Sequence, residues 1–67
     1  MRISFVGGGA MAEAMISGVI AVGVASPDDI KVGEPMEGRR EHLKQKYHIR
    51  PLAENSDVVD GADVVVL

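Results

Sequence analysis

Hydrophobic positions along the chain follow two alternating rhythms. Arg2 to Val6 is a short run of branched and aromatic residues that stops at three glycines, and it reads as a strand. From Ala10 to about Val22 the apolar residues Met11, Ala14, Met15, Gly18, Val19 and Val22 recur at helical spacing, which predicts one packed helix face. Gly23 suits the stop of that helix, and Ser26-Pro27-Asp28-Asp29 reads as a capped single turn. Ile30 to Glu34 is a second strand, closed by Pro35, and a polar helix from about Glu37 to Tyr47 touches the core through Leu43 and Tyr47. Ile49 to Ala53 is a weak third strand that Pro51 demotes to an edge. Asn55-Ser56-Asp57 offers caps for a short third helix ending near Gly61. Asp63 to Leu67 is a fourth strand whose unbroken apolar run predicts burial on both faces.

The order β-α-β-α-β-α-β, with crossovers too long for hairpins, predicts an α/β fold: a parallel sheet covered by helices, with strands in the order 3-2-1-4. That is half of a doubly wound, Rossmann-like sheet, and residues 1–67 are expected to form a partial NAD(P)-binding domain of that type. The chain stops on an apolar strand with no polar close, which reads as a piece of a longer protein.

Composition narrows the function classes. Seven Lys and Arg against ten Asp and Glu leave a net charge of −3, and one Phe, one Tyr and no Trp supply few stacking platforms, so nucleic acid is not an expected partner. The absence of cysteine removes a disulfide framework and, with only His42 and His48 as soft ligands, a zinc site. No apolar stretch has the length of a membrane span or the form of a signal peptide, so a cytoplasmic setting is expected. The sequence contains no nucleophile–base pair and no acid/base couple, and no catalytic residue is assigned.

The informative motif is Gly7-Gly8-Gly9-Ala10-Met11-Ala12, a G-x-G-x-x-A pattern between the first strand and the first helix. Gly7 permits the tight turn, Gly9 lets a pyrophosphate approach the backbone, and Ala12 lets the helix lie on the sheet. The unpaired amides of the first helical turn and the helix dipole then make an anion site without a basic side chain. Met11 adds its backbone to that site. Glu34 ends the second strand 22 residues after Ala12, near the spacing of about 20 expected of a ribose-binding acid. Its carboxylate favours NAD, whereas Arg39 and Arg40 at the start of the next helix favour a 2′-phosphate or simply form a solvated face, so NAD and NADP both stand. Asn55, just past the third strand, is positioned either to contact the adenosine or only to cap a helix. His42 and His48 are expected to face solvent, Met11, Met15 and Met36 to pack, and Asp28 and Asp29 to serve a helix start.

Ile3 to Ala12, Gly18, Gly23-Val24, Ile30-Lys31-Val32, Pro35, the Tyr47-x-Ile49 region, Asn55 and Gly61 to Leu67 together resemble the start of pyrroline-5-carboxylate reductases. The resemblance covers the whole chain, and its Gly-x-Gly-x-Met-Ala turn is shared in part with dehydrogenases of hydroxy acids. It implies NAD(P)H-dependent reduction of the cyclic imine 1-pyrroline-5-carboxylate to proline, with this chain as the cofactor-binding fragment. By position it implies pyrophosphate contacts from Val6, Gly7, Gly8, Gly9, Ala10 and Met11, and adenosine contacts from Glu34 and Asn55. Glu34 departs from the small hydroxyl residue some members have there, which puts an NADPH preference in doubt. The family's next turn, Ala-Val-Lys-Pro, and a helical C-terminal domain for homo-oligomerisation and the imine pocket are expected outside these residues. Two other readings stand beside this one: another two-domain NAD(P) oxidoreductase acting on a hydroxy acid or a deazaflavin, and a non-catalytic nucleotide-sensing module.

Overall fold

A computed structural model describes residues 1–55 and 58–67. Strand β1 (Ile3–Val6) leads through a glycine turn into helix α1 (Ala10–Ala21). A 3-10 turn (Pro27–Asp29) precedes strand β2 (Ile30–Gly33), helix α2 (Glu37–Tyr47), strand β3 (Arg50–Leu52) and strand β4 (Val64–Val66). All neighbouring strands are parallel and lie in the order β3-β2-β1-β4. Pro51 therefore sits on an edge strand, where its missing N–H does least harm. The expected third helix would begin at Ser56 and Asp57, outside the described residues, and Val58 to Gly61 forms turns.

Local chemistry sets the element ends. Gly23 adopts φ 77°, the left-handed conformation that only glycine takes at little cost, and the Val24 N–H reaches back to the Val19 carbonyl at 3.0 Å to close α1. Ser26 and Asp29 form a capping box around the 3-10 turn. Beyond Tyr47, His48 takes φ 59° and its N–H bonds the Lys44 carbonyl, so a histidine does at α2 what a glycine does at α1.

The core lies between the sheet and the two helices. Ile3 and Phe5 of β1, Ile30 and Val32 of β2, Ile16 of α1, Leu43 of α2, Ala25 and Ile49 are buried together. On the other face of β1 the buried Ser4 hydroxyl donates to the Val58 carbonyl, which pins the segment leading to β4.

Besides Met36, expected to pack but 66% exposed ahead of α2, two expectations about burial require correction. The buried face of α1 is Ala12, Ile16, Val19 and Ile20; of the predicted stripe, Met11 is 81% and Met15 41% exposed, while Ile16 is fully buried. Both sets keep helical spacing, because α1 carries apolar residues almost all the way round. Periodicity then cannot select a face, and the angle at which the glycine turn launches the helix does. The second correction concerns β4: Val64 and Val65 are exposed, since the strand is at the edge of this sheet rather than between neighbours.

The revised core makes an experimental contrast. Ile16→Ala is expected to lower unfolding free energy by about 2–5 kcal/mol, the usual cost of emptying a filled core site, while Met11→Ala stays within about 0.5 kcal/mol. Urea denaturation of both variants measures this; equal losses would restore the predicted stripe.

Candidate functional site

The site forms because the register of β1 against β2 pairs Val6 with Gly33, so the residues that follow each strand leave the sheet side by side. Gly7 turns away at φ 99°, a conformation open to glycine, and its N–H still bonds the Gly33 carbonyl at 2.8 Å. Glu34, one residue past β2, then stands beside Gly8.

Each of the three glycines does a different job. A Cβ on Gly8 would lie 2.8 Å from Leu43 Cδ1 and 3.2 Å from Glu34 Oε1, so the middle glycine is the one packed against the protein. A Cβ on Gly7 or Gly9 would meet no protein atom within 4 Å. The space over Gly9, at the head of α1, is what a ligand can enter. Gly9 precedes α1 without a side-chain cap, so the amides of Ala10, Met11 and Ala12 have neither an intrahelical nor a capping partner among the described residues. These residues are part of the lining of a cleft of about 300 Å³, together with Phe5 to Gly7, Gly9, Met15, Val66 and Leu67. This cleft lies beyond the carboxyl ends of β1 and β4, where the strand order reverses and open α/β sheets take their ligands. Exposed Met11 and Met15 are part of its wall, which accounts for a helix face that the core does not use.

Gly8 itself is held at both ends. Its N–H donates to Glu34 Oε1 at 2.9 Å, and its carbonyl accepts Nε of Arg39 at 2.9 Å and Nη2 at 2.6 Å. The other oxygen of Glu34 accepts the Met36 N–H at 2.9 Å. Glu34 is thus only 8% exposed, with both carboxylate oxygens on backbone amides. The Met36 N–H holds its pKa below the ordinary carboxylate value against the opposing effect of burial, with Gly8, Arg39 and Arg40 adding to the same direction. Arg40 Nη1 donates to the carbonyls of Glu34 and Pro35 at 2.8 Å each. The arginine pair is therefore not a freely solvated face: Arg39 braces the glycine turn after β1, and Arg40 braces the loop after β2.

Asn55 lies at the carboxyl edge of β2, directly over Gly33, whose added Cβ would fall 2.7 Å from the Asn55 Cα. Only a glycine at position 33 lets that backbone cross so closely. Gly33 was missed as a site residue, although a glycine ending a strand is a signal of close backbone approach.

Glu13, in the first turn of α1, was also missed. Its carboxylate accepts Tyr47 Oη at 2.8 Å, Arg39 Nη2 at 3.0 Å and Lys46 Nζ at 3.2 Å, and lies 3.2 Å from His42 Nε2. His42 thus faces Glu13 from an exposed position, whereas His48 is exposed at the helix end. No local pattern around Glu13 announces partners that lie 26 or more residues away. The Tyr47 hydroxyl, then His42, Lys46 and Arg39, lower the Glu13 pKa from 4.5 to about 2, with burial opposing them.

Among the described residues no group of three or more His, Cys, Asp or Glu could hold a metal ion, and no helix is long and apolar enough to cross a membrane.

A family model described as "NADP oxidoreductase coenzyme F420-dependent" matches residues 2–67. A pyrroline-5-carboxylate reductase from Synechocystis sp. is 34% identical over 67 residues, covering 100% of this chain and 25% of that protein. One from Corynebacterium melassecola is 40% identical over 65 residues, covering 97% and 24%. Pyrroline-5-carboxylate reductase 2 from Bacillus subtilis is 34% identical over 67 residues, covering 98% and 24%. The chain spans about a quarter of the length of these curated relatives.

Two outcomes follow from this geometry. Gly8→Ala is expected to cost about 1–3 kcal/mol through overpacking against Leu43, whereas Gly9→Ala, at φ −76°, leaves stability within about 0.5 kcal/mol; thermal melts of the two separate the structural glycine from the open one. The folded pKa of Glu13 lies below its unfolded value, so its stabilisation is complete above about pH 4.5 and is lost as pH falls through about 2. In a pH series of denaturant unfolding, Glu13→Gln should therefore lose most stability at neutral pH and converge on wild type in acid; a constant gap across that window would contradict the assignment.

Proposed function

The chain belongs to the NADP oxidoreductase coenzyme F420-dependent family, and from that premise we propose that it is the cofactor-binding part of an NAD(P)H-linked reductase of 1-pyrroline-5-carboxylate. The observation that carries the reading is the head of α1: three residues with unpartnered amides lining an open cleft, with the space over Gly9 free of protein atoms. Such a terminus suits a pyrophosphate, and an acidic chain needs no basic side chain to offer it. Ala10, Met11 and Ala12 would bind the phosphate oxygens through their N–H groups. Gly7 and Gly9 would leave room for them, and Val6, with Met11 and Met15, would give the apolar wall on which the dinucleotide lies. Gly8 takes another role, as the braced centre of the turn, because its polar groups are already committed.

Glu34 and Asn55 would meet the adenosine side. Met36 and Gly8 hold Glu34 as a carboxylate at the end of β2, where its charge repels a 2′-phosphate. Arg39 and Arg40, the nearby cations, are occupied by Gly8, Glu13, Glu34 and Pro35. These contacts favour NADH over NADPH.

When bound, the dinucleotide supplies a hydride to the imine carbon while the nitrogen gains a proton. This chain's residues orient the cofactor; the imine pocket and homo-oligomer contacts belong to the remainder of the protein. The relatives' names support the imine as substrate, and the cysteine-free sequence suits a cytoplasmic enzyme. A second reading, hydride exchange between NADP and a deazaflavin, has the support of the family description.

Steady-state turnover by the whole protein decides between them: reduction of pyrroline-5-carboxylate with NADH supports the first reading, and activity only with the deazaflavin replaces it. Dinucleotide titrations test the site. Wild type should bind NADH more tightly than NADPH, and Glu34→Ser should raise the relative affinity for NADPH about tenfold, equivalent to about 1.4 kcal/mol. Gly9→Ala should weaken both. Unchanged preference in Glu34→Ser would remove Glu34 from the adenosine site.

A further inference from the structure

Glu13 makes none of the cofactor contacts assigned above, yet it is joined to the phosphate-binding turn by a short chain of bonds. Its four partners, Arg39, His42, Lys46 and Tyr47, stand on one face of α2 at helical spacing. Of these, Arg39 is the residue that also bonds the turn, placing Nε and Nη2 on the Gly8 carbonyl while Nη2 reaches Glu13 Oε1. The Gly8 N–H is fixed from the other side by Glu34. Two donors on a single oxygen leave a guanidinium free to pivot; a third anchor defines its plane.

Resting on the reading of this turn as a pyrophosphate cradle, we propose that Glu13 is a positioning residue for it, acting through Arg39 to set the orientation of the Gly8 peptide and hence of the amides that follow. Glu13 also keeps the Arg39 guanidinium on the turn rather than in solvent or on the ligand's own phosphate. The same carboxylate therefore ties α2 to α1 and sets the aim of the donors at the head of α1. The Tyr47 hydroxyl and Lys46, on the last turn of α2, belong to the first of these tasks only, since neither bonds the turn.

Hydrogen–deuterium exchange of the protein carrying this chain, read on peptides spanning residues 5–12 without nucleotide, separates the two tasks. Glu13→Gln should speed exchange of the turn about fivefold or more by freeing Gly8 to open locally. Arg39→Lys should do the same, and the double variant should be no faster than the faster single one, as expected of residues acting in series. Tyr47→Phe removes a partner of Glu13 without touching Arg39 and should leave the turn at the wild-type rate. Wild-type exchange in Glu13→Gln, or equal acceleration in Tyr47→Phe, would reduce Glu13 to a strut between helices and overturn the proposal. If Glu13→Gln does not fold, Glu13→Asp, whose carboxylate is one methylene further from Arg39, carries the same test with the same two outcomes. NADH affinity of the variants should fall in the same order as turn exchange rises. A wild-type protein that binds no dinucleotide would instead defeat the cofactor reading, whatever the exchange of the turn shows.

Discussion

A turn made of three glycines has no side chain with which to hold itself, yet an anion site built from backbone amides works only if those amides are already aimed. The structure meets this constraint by gripping one peptide unit from both sides. Glu34 takes the N–H of Gly8 and Arg39 takes its carbonyl. Bonds to an ionised partner contribute about 1.5–3 kcal/mol, more than a neutral pair in the same place, so a flexible segment is fixed by two charges that stand behind the amides at the head of α1. Leu43 completes the brace by occupying the space where a Cβ of Gly8 would sit.

This arrangement divides the glycine motif into working parts. Gly7 turns the chain, Gly8 is the anchor, and Gly9 clears the approach to the head of α1. The end of β2 and helix α2 thereby become part of the glycine turn's support: β2 delivers Glu34, and α2 delivers Arg39 and Leu43. Gly33 serves the same end by a different route, letting the backbone at Asn55 cross the end of β2 closely. Stability and binding geometry here depend on shared residues, so substitutions at Glu34, Arg39 or Leu43 are read correctly only when the turn's own geometry is followed alongside ligand affinity.

The apolar distribution has the same logic. Helix α1 is hydrophobic on more of its circumference than a two-layer core requires. Ala12, Ile16, Val19 and Ile20 face the sheet, while Met11 and Met15 line the cleft beyond β1 and β4. Methionine is a flexible, polarisable side chain suited to a wall that contacts a flat aromatic or ribose surface. Val66 and Leu67 extend that wall from β4.

The four strands and the first two helices, the parallel topology with β1 and β2 inside and β3 at an edge, the position of the glycine turn and the place of Glu34 at the end of β2 were all legible in the sequence. They depend on local signals: strand and helix periods, glycine and proline punctuation, and a spacing of 22 residues between Ala12 and Glu34. The buried face of α1 was not legible, because Met11, Met15 and Ile16 are equally apolar and only the launch angle of the helix distinguishes them. Nor were the roles of Gly8 and Glu13, or the engagement of Arg39, since each is defined by atoms 26 to 34 residues away along the chain. Sequence by itself determined the four strands, the two long helices and the glycine turn that leaves the amides at the head of α1 without partners. Tertiary structure alone decided what holds that site in shape, because charge pairing across the ends of neighbouring elements depends on register and helix rotation, and neither has a local signature.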